Sequence, residues 1–275
     1  MGRELVGSIS SLWRYPIKSM LGEELESTEV TSQGLLGDRA YALLDRDSGK
    51  IASAKNPKKW AKLLDFQATF TKPLSNREFL PPVKVVLPDG NSITNEAPEA
   101  SNVLSSVLGR EVQLLASAPA AASLEQYWPS VEGTAHQEAV TQLYMPPGTF
   151  FDSCSIHAIT TATLTRLQEL YPEGQFEPCR FRPNLVIESP SREGAFLEND
   201  WVGGILAIGE EVRLSISTVC PRCVVTTLAQ SGLPNDLNIL RTTARYNNVI
   251  AGIRTSVLQG GRIRRNDSIW LEKAA

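Results

Sequence analysis

Two cysteines stand three residues apart in the run Ser217-Thr218-Val219-Cys220-Pro221-Arg222-Cys223-Val224-Val225-Thr226-Thr227. Thiolates bind soft metals and attack electrophiles, and a neighbouring guanidinium such as Arg222 favours the charged form of a thiol. The β-branched residues before Cys220 predict that the pair sits at the end of a strand. Taken alone, the spacing fits a redox dithiol, half of a zinc site or a single-thiolate metal site. For a zinc-stabilised binding module only Cys154, Cys179, His136 and His157 remain as soft ligands. None of these forms a second close pair, which makes that reading the weakest of the three.

Other segments carry groups suited to an anion. Tyr15-Pro16-Ile17-Lys18-Ser19 follows a strand pattern, and the proline throws Lys18 and Ser19 onto a loop where an ammonium and a hydroxyl can hold an oxyanion; the alternative is a surface lysine in a turn. Gly34-Leu35-Leu36-Gly37-Asp38-Arg39 sets two glycines before an Asp-Arg pair, either a ligand-approaching turn with a guanidinium fork or a plain turn with a surface ion pair. In Cys179-Arg180-Phe181-Arg182-Pro183-Asn184 the two arginines share a face if the chain is extended. They then grip one polyanion, or else pair with Glu177 and Glu188. Asp152, after Phe150-Phe151, is either a turn cap or a ligand contact at the mouth of a site. Ala195 to Gly203 reads as structural, with Phe196 and Trp201 packing and the acids solvating a turn.

The elements that must position these groups are short. Strands are expected over residues 6–15, 22–30, 39–45, 51–54, 66–71, 83–87, 92–94, 112–115, 184–188, 205–208, 211–217, 256–258 and 268–272, with turns such as Asp47-Ser48-Gly49 and Pro88-Asp89-Gly90-Asn91 between them. Helices are expected over 56–64, 99–108 and 160–171, the last capped by Thr160 or Thr161. The Ala/Ser/Pro-rich stretch 116–123 is the candidate linker, and 126–150 reads as a long loop. With no internal repeat and no βαβ rhythm, the chain is expected to be α+β and β-rich. Of its 275 residues 42% are hydrophobic and 21% charged, which is globular composition. A net charge of −3 provides no global field for nucleic acid or an anionic membrane. No apolar run reaches the ~20 residues of a membrane span. Four sparse cysteines point to a reducing cytoplasm rather than a disulfide scaffold.

In order along the chain, Tyr-Pro-Ile-Lys-Ser, Gly-Asp-Arg, Arg-Phe-Arg-Pro-Asn, Phe-x-Glu-x-x-Trp and Cys-Pro-Arg-Cys-x-x-Thr-Thr resemble MOSC-domain proteins with an N-terminal MOSC β-barrel region, the group that includes the mitochondrial amidoxime-reducing component and bacterial relatives. The likeness runs from about residue 5 to about residue 272. It implies a β-barrel-like region over 1–120 followed by a MOSC domain over 121–275. It also implies a molybdenum–molybdopterin cofactor, with Cys223 as metal ligand and catalytic residue. Lys18, Ser19, Arg39, Asp152, Arg180, Arg182, Asn184 and Arg222 are then the cofactor-binding residues. The choice of Cys223 over Cys220 comes from the resemblance. The implied activity is reduction of N-hydroxylated small molecules such as amidoximes, hydroxylamines and N-hydroxylated bases; sulfur carriage or cofactor maturation through a cysteine persulfide is the alternative within the same fold. Where these reductases often carry an aromatic residue near the site, this sequence has Ala251-Gly252-Ile253-Arg254-Thr255. The cysteine spacing does not suit a ferredoxin-like cluster, so electrons are expected from a separate ferredoxin-, flavodoxin- or cytochrome-type protein.

Overall fold

The computed structural model describes residues 2–74, 80–189 and 196–272. The first strand, β1 (Arg3–Arg14), buries Val6, Ile9 and Leu12 in one core, register shifts between Leu5 and Gly7 and between Ile9 and Ser11 breaking the simple alternation that would set residues three apart on opposite faces. Short strands β2 (Glu23–Leu25), β3 (Ser27–Thr31), β4 (Gly34–Leu35) and β5 (Ala42–Asp45) follow. The helix expected over 56–64 is a single α turn, α1 (Pro57–Trp60), that tightens into a 3-10 helix over Ala61–Asp65. Next come β6 (Gln67–Phe70), β7 (Val83–Val86), β8 (Ser92–Thr94), α2 (Ala100–Leu108) and β9 (Val112–Leu115). Gly109 ends α2 in the left-handed region at φ 69°, the conformation that favours glycine. Ile17, Met20, Leu63, Phe66, Val83 and Leu104, all fully buried, make the core of this N-terminal unit.

Residues 116–150 correct two sequence expectations. The segment 126–150 holds a hairpin, β10 (Ser123–Trp128) against β11 (Ala139–Tyr144), with six residue pairs in register. The strand β11 has only a half-buried face, so its apolar signal is weak. Nor is 116–123 a free linker. Ala122, Leu124, Met145 and Phe150 close a small core over Ala42 and Ile51.

The second half opens with β12 (Ile156–Thr160), α3 (Thr161–Leu170), α4 (Pro178–Phe181) and β13 (Leu185–Glu188). Thr160 caps α3 as expected, its hydroxyl accepting from the Thr163 N–H at 3.1 Å. β12 and β13 pair in parallel across this helix, so one βαβ unit is present after all. A 3-10 turn over Leu197–Trp201 leads to β14 (Ile205–Ile208) and β15 (Val212–Pro221). The chain continues with α5 (Asn238–Asn247), β16 (Ile250–Gln259), β17 (Gly261–Arg264) and β18 (Ser268–Glu272). α5 buries Ile239 and Leu240 together with Thr242, Thr243 and Asn247 on one face.

Strands β13, β12, β16, β15, β14, β18 and β1 are hydrogen-bonded in that order, and β1 pairs back onto β13 to close a seven-stranded barrel. Ile9, Ala158, Ile187, Leu206, Leu214 and Ile253 fill it with side chains fully shut off from water. Burying each of the larger ones stabilises by about 1.5–3 kcal/mol. α3 and α5 cover one outer flank through Leu164, Leu167 and Ile239. No helix among the described residues is long and apolar enough to cross a membrane.

Candidate functional site

The loop after β1 and the turn before β5 are stitched together by backbone bonds. Arg39 N–H donates to the Tyr15 carbonyl at 2.8 Å, Lys18 N–H to Tyr41 at 2.9 Å and Tyr41 N–H to Pro16 at 3.0 Å. Asp38 accepts from Tyr15 N–H at 2.8 Å, from Asn184 Nδ2 at 3.0 Å and from Arg39. This stitching holds Ser19 and Arg39 in left-handed backbone, at φ 65° and 48°, and Arg182 adopts the same region at 52°. Such positions cost a non-glycine residue on the order of 1–3 kcal/mol and persist where the surroundings over-determine them.

These loops roof a cleft of about 130 Å³, with the ends of β12, β15 and β16 as its opposite wall. Lys18, Ser19, Arg39, Asp152, Arg182, Asn184, Arg222 and Cys223 all line it. Lys18 Nζ donates to Asp152 Oδ1 at 2.5 Å and to the Phe150 carbonyl at 2.8 Å, while Lys55 reaches Asp152 Oδ2 at 3.3 Å. Desolvation alone would raise the Asp152 pKa, but Lys18 and Lys55 hold it well below the usual carboxylate range. Arg39 and Arg182 lie against the same ring, 4.4 and 4.3 Å from the Tyr15 centroid. Burial brings the Arg182 guanidinium down to about 10, so it stays charged at neutral pH. Asn184 spends its amide on structure, donating to Trp13 and Asp38 and accepting from the His157 N–H.

The arrangement separates the two arginines that sequence placed together. Cys179 to Phe181 is helical and Arg182 turns left-handed, so Arg180 and Arg182 diverge instead of sharing a face. Arg180 is fully buried outside the cleft, donating to the carbonyls of Gln175, Thr226, Leu228 and Pro234 at 2.8–3.2 Å. Glu177 and Glu188 do not pair with either arginine among the described residues. Glu198 also departs from expectation: it is 1% exposed rather than solvated, and accepts from the Thr160 and Thr163 hydroxyls at 2.7 Å each.

The two motif cysteines differ. Cys220 is buried and its Sγ accepts from Arg222 Nη1 at 3.0 Å. Burial opposes the thiolate, yet His157, Arg222 and Arg254 together bring the Cys220 pKa well below the ordinary thiol value. Cys223 follows the end of β15 on the cleft wall, near enough to Lys55 to help hold that ammonium's pKa up against the lowering effect of burial. Arg222 is anchored by Nη2 on the Phe181 carbonyl at 2.5 Å and lies 3.4 Å from His157 Nε2. Among the described residues no three His, Cys, Asp or Glu side chains gather as a metal-binding group, so Cys220 and Cys223 gain no further ligands for a zinc site.

Sequence reasoning missed Lys55, His157, Arg254 and the site position of Cys154. His157 carried one signal, being one of two histidines. Arg254 carried only its place in the 251–255 stretch that the resemblance set near the site, and Lys55, which comes to the cleft through tertiary packing, carried none. The cleft has one further property. Of the buried side-chain atoms without a partner among the described residues, the nitrogens are Arg182 Nη1, Arg222 Nε and Arg254 Nε, and all three residues line this cleft. Unpaired buried donors are costly, and their convergence fits an acceptor-rich anion.

Residues 147–270 match the MOSC domain family, and residues 6–71 match the MOSC N-terminal beta barrel domain. Mitochondrial amidoxime reducing component 2 of Rattus norvegicus is 27% identical over 261 residues, covering 88% of this chain and 72% of that protein. The Homo sapiens component 2 is 25% identical over 81% of this chain and 67% of its own length. Component 1 of Homo sapiens is 24% identical over 88% and 72%. The crystal structure of the YuaD protein from Bacillus subtilis superposes with a TM-score of 0.51 at 12% identity, over 100% of this chain and 99% of that one, a likeness of fold alone. One matched family contributes the roof of the cleft and the other its barrel wall, and with both in place the chain is a MOSC-domain protein with an N-terminal MOSC β-barrel region, resembling the mitochondrial amidoxime-reducing components.

Proposed function

We propose that the cleft holds a molybdenum–molybdopterin cofactor and that the protein reduces N-hydroxylated compounds: amidoximes, hydroxylamines and N-hydroxylated bases. The observation that carries this reading is that Arg182 and Arg222, each with a buried nitrogen lacking a partner, line one cleft beside a cysteine. A doubly charged phosphate attached to a hydrogen-bonding pterin fits that donor set. Lys18, Arg39, Arg182 and Arg222 hold the anionic end, with Ser19, Asp152 and Asn184 fixing the loops around it. Arg180, spent on four carbonyls, is outside this set. Cys223 is the protein's thiolate ligand to the metal, a soft donor suited to molybdenum.

When bound, the cofactor supplies two-electron reduction. For an amidoxime the overall change is R–C(NH2)=N–OH plus two electrons and two protons, giving R–C(NH2)=NH and water. The chain's own groups bind, orient and exclude solvent. The Lys18–Asp152–Lys55 bridge ties the roof to the loop before β12, and Arg222, anchored on Phe181, sets the orientation of the Cys220–Cys223 loop. Electrons come from a separate donor protein. All four cysteines are free, which fits a reducing compartment, and we assign the protein to the cytoplasm.

A second reading, sulfur carriage by a cysteine persulfide, is favoured by one feature, the stabilised thiolate of Cys220. Molybdenum and pterin analysis separates the two. Protein made in a host that synthesises the cofactor is expected to carry about one molybdenum per chain. Folded protein lacking both molybdenum and pterin overturns the reductase reading, and retained persulfide in such protein supports sulfur carriage.

A further inference from the structure

Arg254 belongs to the cleft yet stands apart from the cluster around Tyr15. It sits on β16, in register with His157 of β12 on one side and Thr218 of β15 on the other. The alternate pair, Ala158 and Ile253, points into the barrel core, so His157 and Arg254 face outward into the cleft. The backbone is shaped to admit the imidazole. At Gly252, φ 89°, an added Cβ would lie 2.4 Å from His157 Nε2 and 2.5 Å from the Ala158 carbonyl oxygen, so only glycine lets the ring lie across the strand.

The charges around Arg254 show what is missing. The one carboxylate lining the cleft among the described residues, Asp152, is committed to Lys18 and Lys55, and the buried Asp38 behind Arg39 is committed to that arginine. Among the described residues Arg254 has no ion-pair partner, and its Nε is shut off from solvent without a hydrogen bond. Its electrostatic neighbours on the same wall are the Cys154 thiol and the Cys220 thiolate, which it shares with Arg222 and His157. A half-buried guanidinium with no carboxylate partner is a poor neighbour for a neutral substrate and a fitting one for a carboxylate, which its planar fork can grip.

Building on the reductase reading, we infer that Arg254 determines substrate class: the preferred substrate is an N-hydroxylated compound that also carries a carboxylate, seated on Arg254 against the His157 wall while the cofactor's anion occupies the Tyr15 side. The guanidinium selects the charge of the substrate and leaves the reacting N–O group to the metal side of the cleft.

The test compares 4-carboxybenzamidoxime with benzamidoxime, binding of each being measured by titration calorimetry on protein whose molybdenum content is determined in the same batch. Wild type is expected to bind the carboxylate at least roughly tenfold more tightly, as charge-assisted hydrogen bonds of this kind allow. Arg254→Met should bring the two probes to equal affinity with molybdenum content unchanged, and Arg254→Lys should restore part of the preference; circular dichroism verifies the fold of both. Equal affinity for the probes in wild type, or a preference that survives Arg254→Met, overturns the inference. Loss of molybdenum in Arg254→Met also overturns it, because Arg254 is then a cofactor-holding residue. Should folded wild type carry no molybdenum, the reductase reading fails by itself. Benzoate binding to the metal-free protein then decides the subsite: tighter binding by wild type than by Arg254→Met supports an anion site at Arg254, and equal binding removes it.

Discussion

On the roof of the cleft Lys18 and Lys55 share Asp152, and Arg39 is matched by Asp38. On the MOSC-domain side Arg182, Arg222 and Arg254 each keep a buried nitrogen with no partner. Both sides are basic, but only one has its charge answered from within. Matched cations hold loops in shape, and their binding capacity is largely used. Unmatched ones are kept ready for a ligand at a cost to the empty protein. Arg180 shows the first condition at its extreme, two residues from Arg182, which shows the second.

The largest effect is expected where the two conditions meet at the thiols. Cys220 is already engaged by Arg222, whereas no hydrogen bond forms to Cys223 Sγ among the described residues. Cys223→Ser should nearly abolish amidoxime reduction, measured with an artificial electron donor so that no partner protein is needed. Cys220→Ser should keep most of it. Equal loss in both would indicate a working dithiol and erase the distinction.

The two arginines give the next effect. Arg180→Met strands the buried carbonyl oxygens of Thr226 and Leu228, gives up the bonds to Gln175 and Pro234, and should lower stability in urea unfolding by about 3 kcal/mol or more. Arg182→Met should leave stability within about 1 kcal/mol while the cofactor is lost on dialysis. Should Arg182→Met unfold the protein as badly as Arg180→Met, Arg182 belongs with the matched cations.

Smaller effects follow from two carboxylates, the half-exposed Asp152 and the buried Glu198, and they have opposite signs. The folded-state pKa of Asp152 is depressed, so below the ordinary carboxylate value the unfolded chain binds more protons. The stability that Asp152 provides is therefore present at neutral pH and lost as pH falls. Asp152→Asn should destabilise at pH 7 and much less in acid. Glu198 has hydroxyl partners but no cation, and burial raises its pKa. Above the ordinary glutamate value the folded state retains the extra proton, so stability falls as pH rises through that window. Glu198→Gln should therefore gain on wild type between pH 4 and pH 7, by the smallest margin of the set. Urea titrations at the two pH values check both.

Much of this was legible in the sequence where chemistry is local. Thr160 as a cap, Gly109 as a helix stop, the hairpin of β14 and β15, and the strand end at Cys220 all follow from neighbouring residue types. The Tyr15–Ser19 and Gly34–Arg39 segments declared themselves by spacing. Other features depend on partners far away in sequence. Arg180 and Arg182 were indistinguishable until a single helical turn sent them in different directions. Arg254 looked like an ordinary strand residue until β12 and β15 closed on either side of it. The half-buried face of β11 gave periodicity little to detect, while α5, a helix the sequence reading did not identify, mixes Ile239 and Leu240 with polar residues on its buried face.

The closure of β1 onto β18 and β13 also sets a timetable for synthesis. Leu5 is in register with Trp270, and Leu12 with Leu185, so the strand made first must wait for partners made much later on the ribosome. Tyr15, the ring on which Arg39 and Arg182 rest, follows directly on that strand. The nascent protein therefore has no finished cleft to offer until β18 has been made and has shut the barrel.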